Sequence, residues 1–177
     1  MEETVDDYLE KHLPYRVNCL LAIDLIAHRR SLNISKELKS GCYQDSLVLE
    51  PAFEISIVFG RALLNFLGIG YNFKENTLTE LEKIKNKIKP DDFTLQKLFP
   101  MRSFCSLNDE IIVKYNIELC TLMKIADKSV AHLTTKFSND QEHLQLEPAR
   151  KAIYQLILKY VPEINKKGIW WHEQVGT

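Results

Sequence analysis

The sequence predicts an all-α protein, an antiparallel helical bundle of about five main helices, in a single domain over residues 1–177. Three observations predict this class. Apolar residues recur every three or four positions along several segments, which is the period of an amphipathic helix. Glycine and proline each occur only six times, too rarely for a turn-rich all-β protein. No segment alternates apolar and polar residues for long enough to predict a strand.

The N-terminal part of the chain predicts two helices. Thr4 is a suitable N-cap for a short acidic helix over residues 4–12, because its hydroxyl can accept a hydrogen bond from a first-turn N–H. Pro14 suits the first turn of a second helix over residues 14–32, where the missing N–H of proline costs nothing. The residues between this helix and residue 50 show no clear period.

The strongest helical pattern lies at residues 50–67, and a weaker one follows at residues 77–89. The first segment is apolar on nearly every side, so we expect it to be the central helix, with Gly68 just beyond its C-terminal end. In the second segment, Thr77 and Glu80 have the spacing of a capping box, and apolar residues follow at helical intervals.

The C-terminal half predicts two longer helices. Residues 91–106 are expected to form a connector that contains one short helical turn. Residues 108–133 carry an apolar residue every three or four positions and are expected to form the longest helix. After a polar loop at residues 134–143, the last helix is expected at residues 147–161, with Pro148 in its first turn.

The tail contains two adjacent indoles, Trp170 and Trp171, which is unusual for a free terminus. Two interpretations are open. In the first, the tail folds back onto the helices and buries part of these large rings. In the second, the rings form a partner-binding or base-stacking patch. The first is favoured, because the removal of apolar surface from water lowers the free energy of the folded chain.

The charge balance and the distribution of polar residues exclude several classes of protein. Lys and Arg total 23 and Asp and Glu total 24, so no broad basic face for nucleic acid or an anionic membrane is expected. The acidic N-terminus does not resemble a signal peptide. The longest apolar stretch, residues 52–70, is interrupted by Glu54, Arg61 and Asn65, which argues against a membrane span and for a cytoplasmic protein.

The cysteines and the known short motifs give no sign of a metal or a cofactor. The four cysteines are far apart and form no C-x-x-C pair, so free thiols in a reducing compartment are expected. A zinc site would need clustered ligand pairs, and the sequence has none. It also lacks a Gly-rich phosphate loop and the H-E-x-x-H and G-x-S-x-G motifs. We therefore expect no metal and no cofactor.

A polar stripe crosses the apolar segment at residues 50–67. Glu54, Arg61 and Asn65 fall within an arc of roughly 40° on a helical wheel. Two interpretations are open. The stripe is either the solvent-facing edge of a helix that is otherwise buried in the core, or the lining of an internal cleft. In the cleft, Arg61 would hold an anion or a carboxylate.

The end of the segment at residues 108–133 carries a second group of polar residues. Its sequence from residue 126 is ADKSVAHLT. On a regular helix His132 lies about 110° from the centre of the apolar seam, with Lys128 one turn before it on the same side. Asp127 leaves the helix about 140° from His132, so these two cannot pair while the helix stays regular. A structural interpretation of His132 is that it offsets the helix dipole.

Two segments together resemble the HEPN superfamily, and within it a group of small bacterial HEPN-like helical proteins. They are the sequence FGRALLNFL, which contains Arg61 and Asn65, and the sequence AHLT at residues 131–134. The resemblance implies a helical bundle, often a homodimer, that cleaves RNA without a metal ion. It also implies a bacterial stress, toxin–antitoxin or phage-defence setting.

The HEPN nuclease signature is an Arg followed four to six residues later by His. The positions that would hold this Arg are Ile125, Ala126 and Asp127, and none of them is basic. We therefore expect a non-catalytic accessory or binding protein with a protein partner, in which Glu54, Asn65 and Asp127 are candidate binding residues.

A metal-independent endoribonuclease is the alternative. His132 would then serve either as the base that takes the proton of the 2′-OH or as the acid that protonates the leaving oxygen, because an unperturbed imidazole has a pKa of about 6.5. Arg61 or Lys128 would offset the charge that develops on the phosphate, and a homodimer would supply two histidines. The net charge does not indicate RNA as a partner. A structural or oligomerisation bundle is the third interpretation.

Overall fold

The computed structural model describes residues 4–31, 45–84, 88, 92–127 and 140–175. This part of the chain is mostly helical and contains one small two-stranded sheet, so the all-α prediction is right for the helices and misses the sheet. The chain forms two compact units, residues 1–59 with 163–177 and residues 60–162. The single domain inferred from the length and the HEPN-like bundle stay predictions.

The first unit begins with a continuous helical stretch. The hydroxyl of Thr4 accepts a hydrogen bond of 3.1 Å from the N–H of Asp7, which confirms the predicted cap. A π-helical turn ends at His12, two residues before Pro14, whose ring would clash with the carbonyl of a regular preceding turn. The two separate helices predicted here are therefore wrong, because the wider turn keeps the helix continuous. The elements are α1 (Val5–Asp7), the π-helical turn (Tyr8–His12) and α2 (Leu13–Ser31).

The C-terminal tail packs against α2 within the same unit, as predicted. Ile169 is fully buried, and Asn18 hydrogen bonds to the backbone on both sides of it. Trp170 stays 54% exposed, so the tail is held by Ile169 and the backbone more than by this indole. Its elements are a 3-10 turn (Lys166–Gly168) and α8 (Trp170–Gln174).

The helix that carries the polar stripe is α3 (Asp45–Phe66), which begins earlier than predicted and contains Pro51 in its interior. Its end is as predicted, because Gly68 has a φ of +86° and its N–H bonds to the carbonyl of Asn65. The expectation of a helix buried on nearly every side is wrong, since Ile55 and Val58 are 43% and 46% exposed.

A β-hairpin in the second unit occupies the first part of the helix predicted at residues 77–89. The strands β1 (Ile69–Asn72) and β2 (Thr77–Glu80) pair antiparallel, with Ile69 opposite Glu80 and Asn72 opposite Thr77. The side chain of Asn72 accepts hydrogen bonds from two backbone N–H groups of the loop, and Asn76 completes the turn at a φ of 53°. A 3-10 turn (Leu81–Lys83) follows.

The other helices of the second unit differ from the predictions at their boundaries. Tyr115, with φ −111° and ψ 27°, separates α5 (Glu110–Lys114) from α6 (Asn116–Ile125). The prediction of a single long helix over residues 108–133 is therefore wrong. The last helix begins well before residue 147, within the predicted loop, and Pro148 lies in its interior. α6 packs against α7 and against both strands. The helices are α4 (Leu95–Leu98), α5 (Glu110–Lys114), α6 (Asn116–Ile125) and α7 (Asp140–Tyr160).

Candidate functional site

Two of the candidate residues form an ion pair. The guanidinium Nη1 of Arg61, on α3, lies 3.0 Å from the carboxylate Oδ1 of Asp127, just beyond α6. The two side chains are 27% and 31% exposed. An ion pair so placed contributes on the order of 1 kcal/mol, because water still screens it. This is the contact that the cleft interpretation of the polar stripe expects, an Arg that holds a carboxylate.

The backbone at Asp127 departs from a regular α-helix. The chain widens into a π-helical turn at residues 126–127, directly after α6. A wider turn rotates the residues that follow relative to a regular helix. The helical-wheel angle between Asp127 and His132 assumed a regular helix, and this assumption fails at residues 126–127.

The other residues of the stripe differ in their surroundings. Asn65 follows Arg61 by one turn, and its side-chain Oδ1 is buried with no hydrogen-bond partner among the described residues. Glu54 is exposed. Lys128 and His132 lie outside the described residues, so their proximity to Arg61 stays a prediction.

A groove between the hairpin and α6 was not predicted. It has a volume of about 400 Å³ and lies wholly within the second unit. Tyr71 and Asn76 line it from the hairpin, and the other lining residues come from one face of α6. These are Asn116, Ile117, Cys120, Thr121 and Lys124. Their spacing in the sequence was a usable signal, but the facing wall comes from a hairpin that the sequence did not predict.

Two side-chain hydrogen bonds order the polar groups of this groove. The hydroxyl of Tyr71 donates to Oδ1 of Asn76 at 3.3 Å. The thiol of Cys120 donates to Oδ1 of Asn116 at 3.7 Å. Burial raises the pKa of the Cys120 thiol, so it is a neutral donor at pH 7 and not a nucleophile. Burial also raises the pKa of Tyr71, while the charge of Lys124 acts in the opposite direction.

A buried carboxylate forms a second polar cluster that sequence reasoning missed. Asp109 caps α5 by accepting from the N–H of Ile111 at 3.0 Å, and its other oxygen accepts from the Tyr160 hydroxyl and from Lys159, both at 2.9 Å. Burial alone would raise the pKa of Asp109, but the hydrogen bonds from Lys159, Ile111 and Tyr160 lower it. An aspartate at the second position of the helix predicted from residue 108 was the signal available in the sequence.

This second cluster is suited to a structural role. All three hydrogen bonds to Asp109 come from the protein, so its carboxylate is already well satisfied. Burial raises the pKa of the nearby Cys105 thiol to about 11, which leaves it protonated and unreactive.

The described residues contain no group of three or more His, Cys, Asp or Glu side chains that could hold a metal ion. Cys19, Cys105 and Cys120 are free thiols, and Cys42 lies outside the described residues. No helix in the described ranges is both long and apolar enough to cross a bilayer.

No family model, curated protein or solved structure matches this chain. The assignment of a function therefore depends on the chemistry of its own residues.

Proposed function

We propose that the chain is a HEPN-like, non-catalytic accessory or binding protein in a bacterial stress, toxin–antitoxin or phage-defence setting. The observation that supports this most is the ion pair between Arg61 and Asp127. Arg61 is the cation on α3 that an RNA-cleaving site would need for the phosphate, and a carboxylate of the same chain already binds it.

The charge at this pair argues against phosphate binding. Arg61 and Asp127 together carry no net charge, and the carboxylate lies 3.0 Å from the guanidinium. An incoming phosphate would have to displace this carboxylate or bind beside it, where two negative charges repel each other. Asp127 also stands at one of the positions where the HEPN signature has its Arg. An acidic residue there reverses the charge that transition-state stabilisation requires.

The endoribonuclease alternative also has one observation in its favour. The ion pair brings the start of the sequence ADKSVAHLT next to the helix that carries Arg61. A nuclease that uses His132 with Arg61 or Lys128 needs this arrangement of the two segments. In that case Asp127 would orient the guanidinium and leave its other N–H groups for the phosphate.

A cleavage assay separates the two functions. The purified chain is incubated with single-stranded RNA in EDTA, beside the variants His132→Ala and Arg61→Ala. We expect intact RNA with all three proteins. Cleavage by the wild type that is lost in His132→Ala would overturn the non-catalytic proposal. Equal cleavage by all three would indicate a contaminating nuclease, and a repurified wild type must then leave the RNA intact for the proposal to stand.

Copurification tests the binding role itself. The tagged chain is isolated from a bacterial host that encodes it, at physiological salt, and analysed by native mass spectrometry. We expect a stoichiometric complex with a second protein. A chain that is recovered alone, under conditions where the host expresses it, contradicts an accessory role.

A further inference from the structure

Met101 is the most exposed large apolar side chain in the part of the chain that the structure describes. Its exposed fraction is 99%, whereas Met123 on α6, the other methionine in the described ranges, is 3% exposed. A side chain that lies fully in water contributes no burial to folding. The fold therefore does not depend on the thioether at position 101, and that thioether is open to reagents in solution.

A turn with contacts at both ends holds Met101 at the surface. Pro100 and Met101 are the two central residues of this β-turn. The N–H of Arg102 closes the turn with a 2.9 Å hydrogen bond to the carbonyl of Phe99. The guanidinium of Arg102 lies 3.8 Å from the centroid of the Phe99 ring, and its Nη1 donates to the carbonyl of Tyr160 at 3.2 Å. None of these contacts uses the Met101 side chain, so a change in its chemistry leaves them in place.

The described thiols are less available to an oxidant than this thioether. Cys19 and Cys120 are partly buried and Cys105 is buried. Burial raises the pKa of all three thiols. A peroxide reacts with the thiolate form of cysteine, which is scarce at neutral pH when the pKa is raised and negligible in mild acid. A thioether has no proton to lose, so mild acid does not protect Met101.

From these observations we infer that Met101 is a site of reversible oxidation, at which a peroxide converts the thioether to the sulfoxide while the fold stays intact. The sulfur lone pair attacks one oxygen of hydrogen peroxide, so that an S–O bond forms as the O–O bond breaks. The departing hydroxide takes the proton of the transferred oxygen and leaves as water. The sulfur thereby loses two electrons to the peroxide. A dithiol reductase reverses the step and releases the oxygen as water.

Oxidation at this position changes the surface of the protein and not its core. An apolar side chain at the tip of the turn becomes a polar one that accepts hydrogen bonds. Oxidation of Met123 would instead place a sulfoxide among the buried residues of α6, away from the water that it needs. The site at Met101 is independent of the Arg61–Asp127 pair and of the proposed accessory role.

Peptide mass spectrometry after peroxide treatment measures the two methionines separately. Trypsin releases Met101 in the peptide of residues 98–102 and Met123 in the peptide of residues 115–124. The intact chain is treated with hydrogen peroxide at pH 5, where thiols are protonated, and the reaction is stopped at intervals with excess free methionine. We expect Met101 to be oxidised at least about tenfold faster than Met123, because the sulfur of Met123 is reached only when α6 opens.

The unfolded chain provides the reference for both rates. In concentrated urea the two methionines should react equally fast, and Met101 should react within about twofold of its rate in the folded chain. Oxidised chain should keep the far-ultraviolet circular dichroism and the urea midpoint of the untreated chain. Methionine sulfoxide reductases of both stereospecificities, supplied with dithiothreitol, should restore the thioether, because oxidation gives both sulfoxide epimers.

Two variants make the test specific to the position. Met101→Leu should remove the fast addition of one oxygen to the folded chain, because leucine keeps the apolar side chain without the sulfur. Met123→Leu is the matched control and should leave the fast addition unchanged. An equally fast addition in Met101→Leu would place the reactive group elsewhere.

Three further results would overturn the inference. Oxidation of Met101 that is no faster than that of Met123, or that accelerates by more than about tenfold in urea, would show that the folded chain shields the thioether. A lower urea midpoint of the oxidised chain would show that the fold does depend on this side chain. A sulfoxide that both reductases together leave unreduced would contradict the reversibility.

Discussion

The side chain of Asn18 holds the backbone of Trp170 in place. Its Oδ1 accepts a hydrogen bond of 2.8 Å from the N–H of Trp170, while its Nδ2 donates one of 2.8 Å to the carbonyl of Gly168. Asn18 is 9% exposed and the intervening Ile169 is fully buried. One amide side chain on α2 therefore pairs with two partly buried backbone groups of the tail.

Removal of this amide should destabilise the first unit. Asn18→Ala leaves the Trp170 N–H and the Gly168 carbonyl without their partner, which costs about 1–3 kcal/mol of unfolding free energy for two partly buried groups. Gln174→Ala is the control, since it removes only an exposed hydrogen bond from Arg29. Chemical denaturation followed by circular dichroism measures both. A loss with Asn18→Ala no greater than with Gln174→Ala would contradict the structural role of the amide.

The left-handed backbone at Gly68 predicts a severe effect of a single methyl group. A Cβ at this position would overlap with the ring of Phe104, and the φ of +86° is strained for any L-residue with a side chain. We expect Gly68→Ala to lower the unfolding free energy by about 2–4 kcal/mol. In the control Gly168→Ala, the added Cβ meets no atom closer than 3.2 Å, so its effect should be smaller. Comparable losses in the two variants would argue against the strain at Gly68.

The ion pair between Arg61 and Asp127 can be measured by a double-mutant cycle. Arg61→Met, Asp127→Asn and the double variant should give a coupling energy of about 0.5–1 kcal/mol, because the pair is partly shielded from water. The exposed pair of Lys83 and Glu80, also 3.0 Å apart, is a matched control and should couple more weakly. A coupling energy of zero would mean that the carboxylate does not hold Arg61 in solution.

Release of Arg61 from its carboxylate should raise the affinity for anions. If Asp127 neutralises Arg61, then Asp127→Asn should bind single-stranded RNA several-fold more tightly than the wild type at low salt, and the gain should fade as salt is added. Glu54→Gln makes the same change of net charge at an exposed position of α3 and should give a smaller gain. Fluorescence anisotropy with a labelled RNA measures both. Equal gains would show that only the net charge matters.

The buried carboxylate of Asp109 predicts a defined dependence of stability on pH. Its folded pKa lies below the unfolded value of 3.8, so its contribution is fully present above that pH. The contribution is lost as the pH falls below 3.8 towards the lowered folded value. We therefore expect Asp109→Asn to cost about 1–3 kcal/mol at pH 7 and progressively less in acid.

Urea unfolding of this variant and the wild type at a series of pH values provides the measurement. Glu82→Gln is the control, because Glu82 is exposed and the difference from the wild type should stay near zero at every pH. If the loss of unfolding free energy caused by Asp109→Asn is the same at pH 7 and in acid, the charge of the Asp109 carboxylate does not contribute to stability.

Local capping signals predicted several parts of the fold correctly. The Thr4 cap and the end of α3 at Gly68 each depend on a few adjacent residues, and the structure confirms both. The folded-back tail was predicted from its apolar residues, although the contact that holds it is made with the distant Asn18. The hairpin was missed because each strand has only four residues, too few for a period of two to be recognised. Thr77 and Glu80 also fit a helical capping box, and only packing against α6 decides for the strand.

Other errors arose because an apolar period indicates which residues are buried but does not indicate where the backbone leaves the helix. Ile112, Leu119 and Leu122 are fully buried, so the apolar period in this region was real. The break at Tyr115 leaves that period almost intact and involves neither glycine nor proline. For the site, one of the two interpretations of the stripe expected Arg61 to hold an anion or a carboxylate, and the structure pairs Arg61 with Asp127. The partner of Arg61 could not be deduced, because the π-helical turn at residues 126–127 has no recognised sequence signal.

The docked tail also determines what the fluorescence of this protein reports. The chain contains two tryptophans, Trp170 and Trp171, and both belong to the first unit, so the second unit has no indole. The tryptophan emission, excited selectively at the red edge of the absorption band, therefore follows the unfolding of one unit alone, whereas far-ultraviolet circular dichroism sums the helices of both. Coincident transitions by the two signals would mean that residues 60–162 unfold together with the rest as one cooperative domain, and separate midpoints would mean that they do not.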